Sequence, residues 1–408
     1  MISDLKGYRA RVTAHLTKEL LPWWREKDVW IARDAFYGWL DEQGKPSSGE
    51  NALWHSVLFS RLLWTFSAVA RFTGDSGWLA DAARAYRLYH SHFHDKQYGG
   101  AYWSVSPDSE VLDDRKQTYG QAFWVYALSE YHLATGDVQA LADAQAIFDI
   151  LLDRVHDHEM GGPVEVRNRD WSARAEGSLA LGEPNAPKSM NTHLHTLEAY
   201  TNLLRCVRTP ATEGAVREMI LAFRDHVTNP EGFFYQFLDM DYTPRPGLAS
   251  YGHDIEGSWL IWEAAEVLGD RKLMDSVRPL CVALCERPFR LGIDPDGGII
   301  DEGDYEGQPV HTNKVWWSQA EAAVGQMNAY QLTGDEKYLH GSMKTWNFIE
   351  ERIIDHVHGE WFWGVLRDGS RGHSAEKAGP WKCPYHNARA CMEIARRIEE
   401  IERGGHPK

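Results

Sequence analysis

DKQYGGAYW at 95–103 places Asp, then Gly, then aromatic residues in nine positions, and versions of the pattern return along the whole chain. They are DAFYGW (34–39), DHEMGGPVEV (157–166), NPEGFFYQF (229–237), DPDGGII (294–300) and DHVHGEWFW (355–363). Taking the repeated glycine as Gly38, Gly99, Gly161, Gly232, Gly297 and Gly359 gives intervals of 61, 62, 71, 65 and 62 residues. A period of this size marks a repeated supersecondary unit, and six such units fill the 408 residues.

A second marker interleaves with the first: TGD at 73–75 and 135–137, LGD at 268–270 and TGD at 333–335. Gly followed by Asp ends one helix in a left-handed residue and caps the start of the next. Each unit then reads as helix, Gly/aromatic hairpin, helix, Gly-Asp turn. Leu339, Met343, Trp346, Ile349 and Ile353 fall at steps of four and three, the spacing of one helix face. Six helix pairs predict an all-α fold, an (α/α)6 barrel of about twelve helices in two concentric layers. No specialised polar cap suggests an open stack, and no linker interrupts 1–408, which is expected to be a single catalytic domain.

The chain holds 43 basic and 59 acidic side chains, net −16, with no basic run, so nucleic acid and anionic membrane surfaces are poor partners. Five cysteines (Cys206, Cys281, Cys285, Cys383, Cys391) make an odd number with no C-x-x-C, pointing away from a disulfide framework or zinc ribbon and towards a cytoplasmic location. The start, MISDLKGYRARVTAHL, lacks a signal-peptide apolar core, and no stretch reaches a membrane-spanning length. Trp outnumbers Phe, 18 to 14, and indole faces suit the apolar faces of sugars or bases.

The helices preceding the Gly-Asp turns are expected to be the inner ones, with their N-terminal ends around one mouth. Chemistry-bearing residues collect there: RLLW (61–64), KQTYGQAF (116–123), SMNTHLHTLEAY (189–200), YGHDIEGSW (251–259), KVWWSQAE (314–321) and WKCPYHNAR (381–389). Tyr119, His253 and Trp317 lie 17, 16 and 17 residues before their turn glycines. His195 with Glu198, and His253 with Glu256, share a helix face at i,i+3, where a carboxylate orients an imidazole for proton transfer. Three further readings stand beside this one. The H-x-H pairs (His92/His94, His156/His158, His193/His195, His356/His358) raise a metal site, although residues two apart diverge on a helix. Glu183, Asp254, Glu256 and Glu321 raise an inverting glycosidase, and the Trp excess a non-catalytic sugar-binding barrel. Cys383, three residues before His386, reads as a buried filler rather than a nucleophile, and Cys281 and Cys285 as core.

At SMNTHLHTLEAY, YGHDIEGSWLIWEA, KVWWSQAEAAVG, RKQTYGQAFWVYALSE and WKCPYHNARACMEI the sequence resembles the N-acylglucosamine 2-epimerase superfamily, most closely its cellobiose 2-epimerases. The resemblance runs from about Arg61 to the C-terminal helix and implies an (α/α)6 barrel. It implies a metal-free, cofactor-free inversion at C2 of a reducing-end aldose, with a small-molecule sugar as partner and a monomeric enzyme. In that reading His253 and His386 exchange the C2 proton and His195 assists at the carbonyl or in ring opening. Arg61, Tyr119, Asn191, Glu256 and Glu321 bind substrate; Trp317 lies near the reacting ring and Trp381 under a second sugar, whereas Trp316 is core and His193 points away. Three features depart from the family pattern: YGW in the first unit, the loop SSGENALWHS, and Cys383 where relatives carry Gly.

Overall fold

The computed structural model describes residues 2–404 apart from 27–29, 32–34, 47–52, 181 and 373–375. In chain order the helices are α1 (Ile2–His15), α2 (Leu21–Glu26), α3 (Ser56–Thr73), α4 (Gly77–Leu88), α5 (Thr118–Thr135), α6 (Val138–Ile150) and α7 (Met190–Cys206). They continue with α8 (Pro210–Ala222), α9 (Tyr251–Leu268), α10 (Arg271–Leu291), α11 (Trp316–Thr333), α12 (Glu336–Phe348) and α13 (Tyr385–Glu402). A π turn, Leu16–Leu20, joins α1 to α2. Around the inner ring α3 packs on α5, α5 on α7, α7 on α9, α9 on α11, α11 on α13, and α13 back on α3. Outside, α1 lies on α13, α4 on α3, α6 on α5, α8 on α7, α10 on α9 and α12 on α11. This is the (α/α)6 barrel.

Inner helices are covered on all sides, which their sequences permit. In α5 every residue from Thr118 to Tyr131 is buried. In α11 a Cβ on Gly325 would stand 2.6 Å from Ile255 Cγ1, so glycine lets α9 approach closely. Outer helices bury one stripe, as α10 does with Leu273, Val277, Cys281, Leu284 and Cys285.

The repeat markers take the predicted conformations except at Asp75, where Ser76 is the N-cap position of α4, and at Gly38. Gly74, Gly136, Gly269 and Gly334 are left-handed C-caps. Asp137, Asp270 and Asp335 then accept N–H bonds from the next helix. Between α7 and α8 the junction is instead a Thr209–Thr212 capping box with Pro210 at the first helical position. Gly99, Gly161, Gly232, Gly297 and Gly359 have φ from +74° to +97°. Gly38 does not: it is there because a Cβ would lie 2.4 Å from Leu53 O, so it is not the first-unit equivalent. The expected equivalent, ten residues before the next left-handed turn, falls within 32–34, outside the described residues. Each unit has a second tight turn whose left-handed residue is Gly44, Ser109, Trp171, Tyr242, Gly307 or Gly369.

Four hairpin carboxylates anchor buried lysines that sit just before the inner helices or their lead-in: Lys116–Asp95 at 3.0 Å, Lys188–Asp157 at 2.8 Å, Lys314–Asp296 at 2.7 Å and Lys377–Asp355 at 2.9 Å. Trp171 and Tyr242 lay their rings over Lys116 and Lys188 at 5.4 and 4.0 Å. A buried amine without a partner is costly, so each pair fixes where its helix begins. At the C-terminal ends of the inner helices Arg71–Glu130, Asn202–Glu130, Arg205–Glu263 and Arg397–Asn328 form a charged floor.

Candidate active site

The N-terminal turns of the inner helices surround a cavity of about 320 Å³ at the mouth opposite that floor. Nine of the ten residues singled out for the site line it: Arg61, Tyr119, Asn191, His195, His253, Glu256, Trp317, Trp381 and His386. Glu321 lies behind them, its Oε1 2.7 Å from His386 Nδ1. Trp316, read as core, is fully buried yet also lines the cavity and meets His386 edge-on at 5.4 Å. Trp363 comes from the last hairpin. Leu179, Ala180 and Glu183 come from the long connection between Arg167 and Lys188. That connection accounts for the 71-residue interval, so the longest unit spends its extra residues on a cavity wall. The loop SSGENALWHS lies in good part (47–52) outside the described residues, as do 373–375 ahead of Trp381. Cys383 is fully buried behind the site.

His195 Nδ1 meets Glu198 Oε2 at 2.8 Å, the pair expected at i,i+3. His253 does not pair with Glu256. Its Nδ1 meets Ser250 Oγ at 2.8 Å, while Glu256 Oε1 accepts from Arg389 at 2.5 Å. His193 turns out of the cavity to Ser189 O and Tyr242 OH. Trp317 leans on His253 at 4.6 Å and on His386 at 5.6 Å between centroids.

Arg389 organises the layer beneath the cavity, and sequence reasoning missed it. Its guanidinium donates to Glu198, Glu256, Glu321 and the Tyr385 hydroxyl, all buried. The one signal for it was indirect: three acidic residues on inner helices require a cation, and Arg389 follows His386 by three positions. Glu256, Glu321 and His386 also have the spacing of metal ligands. In this site, however, the guanidinium already bridges Glu256 Oε1 and Glu321 Oε1.

Burial, then the neighbouring Glu321, push the Glu256 carboxyl up to about 8. Burial also raises Glu321. Burial acts the same way on Glu198, but Arg389, His195 and Tyr385 outweigh it and hold that carboxyl at about 2. Burial depresses all three imidazoles, His253 to about 3, so each is neutral near pH 7. At His195 and His386 a carboxylate at Nδ1 keeps the proton there and leaves Nε2 bare. Arg61 donates to Tyr119 OH at 2.8 Å and to Trp381 O at 3.2 Å, which leaves the phenolic proton free. Asn191 Oδ1 and Glu256 Oε2 are buried without protein partners.

Residues 35–390 match the N-acylglucosamine 2-epimerase (GlcNAc 2-epimerase) family. A cellobiose 2-epimerase of Bacteroides fragilis is 38% identical over 382 residues, 93% of this chain and 96% of that protein. The structure of cellobiose 2-epimerase from Spirochaeta thermophila superposes with a TM-score of 0.89 at 38% identity, covering 98% of each chain. A crystal structure of D-mannose isomerase shares the fold, with a TM-score of 0.80 at 19% identity over 97% of each chain. The chain belongs to the N-acylglucosamine 2-epimerase family.

Proposed function

We propose that this carbohydrate epimerase inverts C2 of a reducing-end gluco/manno aldose, converting cellobiose to its glucosyl-mannose epimer, and that 1–408 acts as one catalytic domain. The observation that carries the reading is three imidazoles facing one cavity, two of them held at Nδ1 by glutamates. A proton α to an aldehyde comes within reach of imidazole once the developing oxyanion is stabilised. His195 serves ring opening and the carbonyl end. Of His253 and His386, one takes the C2 proton at Nε2 while the C2–H electron pair moves towards the carbonyl, giving a cis-enediolate. The other, carrying a proton, returns one to the opposite face of C2. Arg61 and the free Tyr119 proton stabilise the enediolate oxygens, Asn191 Oδ1 accepts from a hydroxyl, and the protonated Glu256 donates to another. Trp317 covers the reacting sugar and Trp381 carries the second.

The reaction run in D2O tests this: deuterium is expected at C2 of the product aldose. Free glucose released from cellobiose without such exchange would overturn it. Deuterium at C1 of a ketose would favour an aldose–ketose isomerase acting on mannose, the second reading, which shares the enediolate. The reaction needs no metal, since the guanidinium of Arg389 occupies the carboxylates that would hold one. Prolonged chelation is therefore expected to leave turnover unchanged, and loss reversed by Zn²⁺ or Mn²⁺ would refute this. The five free cysteines support a cytoplasmic enzyme, which we take to act as a monomer. Among the described residues no helix is long and apolar enough to cross a membrane.

A further inference from the structure

Serine in front of a helix ordinarily accepts the N–H of the third helical residue. Ser189 does this for Thr192 at the head of α7. Ser250 holds the same place before α9 but caps nothing. Its hydroxyl instead meets the side chain of the third helical residue, His253, at Nδ1. The main chain of Ser250 is held independently, paired with Glu302 in an antiparallel ladder. The three cavity imidazoles are thus unequally backed: carboxylates stand behind His195 and His386, an uncharged hydroxyl behind His253.

We propose that Ser250 is a positioning residue that makes His253 the stronger acid of the proton-exchanging pair. The inference rests on the epimerase reading above. A carboxylate at Nδ1 stabilises imidazolium, whereas a hydroxyl orients the ring and accepts from Nδ1–H without adding charge. His386, backed by Glu321, retains the proton taken from C2. His253 enters the step as imidazolium, having taken a solvent proton at Nε2 with Nδ1–H held on Ser250, and gives that Nε2 proton to the enediolate: the N–H bond breaks, the enediolate electron pair forms the new C2–H bond, the C1 carbonyl returns, and the ring is left neutral. The other titratable groups around His253 are His195 on α7, Glu321 on α11 and His386 on α13, with Glu256 on its own helix bound to Arg389. Glu302 pairs with Ser250 in the ladder, and Asp301 O accepts from Tyr251 N–H. Burial, then His195, depresses His253, and Glu321 opposes them.

Ser250→Ala and Ser250→Asp test this in the full chain, read by kcat, KM, C2 deuterium incorporation, the pH profile of kcat/KM and Tm. Ser250→Ala is expected to lower kcat about ten-fold with KM nearly constant, the scale of losing a partner that orients a reacting imidazole. Because no cap is lost, its Tm should stay near wild type, unlike that of Ser189→Ala. Ser250→Asp, which supplies a charge, is expected to move the acidic limb up by about one pH unit. Wild-type kcat in the alanine variant with an unshifted profile in the aspartate variant would overturn the inference. So would a Tm loss in Ser250→Ala equal to that of Ser189→Ala, which would make the hydroxyl structural. Absence of C2 deuterium in the wild-type reaction would bring down the epimerase reading itself. Normal wild-type exchange beside unaffected Ser250 variants would remove this inference alone.

Discussion

Arg389 touches three carboxylates, and the charge balance of the site turns on that contact. Arg389→Leu would leave Glu198, Glu256 and Glu321 facing one another in the interior, and removing one partner of a buried ion network costs about 3–5 kcal/mol. The Glu256 and Glu321 carboxyls are raised in the folded state, so folding takes up protons that the unfolded chain has released. Stability from that source declines as pH rises from the ordinary 4.5 to about 8, and without Arg389 the decline is expected to steepen. Urea unfolding of the variant at pH 6 and 8 checks both the size and the slope. At the mouth, Trp381→Ala is expected to reduce turnover of cellobiose more than that of mannose or glucose, because only the longer sugar loses a platform. Steady-state kinetics on the three sugars decides it, and equal losses would place Trp381 on the reacting ring. Nine of the lining residues were legible in sequence because motif order and inner-helix position both select them; Leu179, Ala180 and Trp363 were not. Ser250 behind His253 and Arg389 behind Glu256 were not, since an i,i+3 spacing makes a contact available without saying which competing partner takes it.

Helices were easier to read than the turns between them. Apolar spacing and Gly-Asp junctions carry a strong local signal, but a left-handed residue other than glycine gives almost none. Ser109, Trp171 and Tyr242 occupy one turn position at φ of +69°, +67° and +65°, where other units place Gly44, Gly307 and Gly369. A side chain in that region costs roughly 1–2 kcal/mol. Trp171 offsets it with its ring over Lys116 and an indole N–H to Tyr98 O at 2.8 Å, and Tyr242 with its ring over Lys188 and a hydroxyl to Gly161 O at 3.0 Å. Ser109 is exposed and has only a turn backbone bond to Ser106 O. Ser109→Gly is therefore expected to stabilise by roughly 0.5 kcal/mol, the strain relieved less the greater freedom of glycine in the unfolded chain. Gly369→Ala, at φ +84° with no atom within 3.6 Å of the new Cβ, should destabilise by about 1 kcal/mol through backbone strain alone. Opposite shifts in denaturation midpoint at the two equivalent positions are the outcome to look for. The buried lysines were equally hidden, because their Asp partners lie 18 to 31 residues away in the preceding hairpin.

Over the whole barrel, two sets of buried groups oppose each other in acid. Burial depresses His55, His193 and His253 to about 3 and lowers His195 and His386, so the unfolded chain binds their protons first and stability falls as pH drops below 6.5. Burial raises Glu165 and Asp301 to about 7 and Glu256 to about 8, so the folded chain holds those protons, and it moves Glu321 and Asp254 in the same direction, so stability rises over the same interval. Each group contributes at most about 1.4 kcal/mol per pH unit, and the two sets match in number. Tm is therefore expected to be nearly flat from pH 5 to 6.5. Glu165→Gln, which removes one member of the second set, should tilt the profile so that Tm falls on acidification; calorimetry across that range checks it. The ring that holds these groups closes without a covalent link where α13 meets α3, and α13 brings His386 and Arg389 together. Every other cavity helix leaves the ribosome earlier, so during synthesis three carboxylates await their cation and two histidines await the third. On the proposed roles of His386 and Arg389, a chain ending before α13 is expected to lack sugar-interconverting activity, so that activity would report that translation has passed α13.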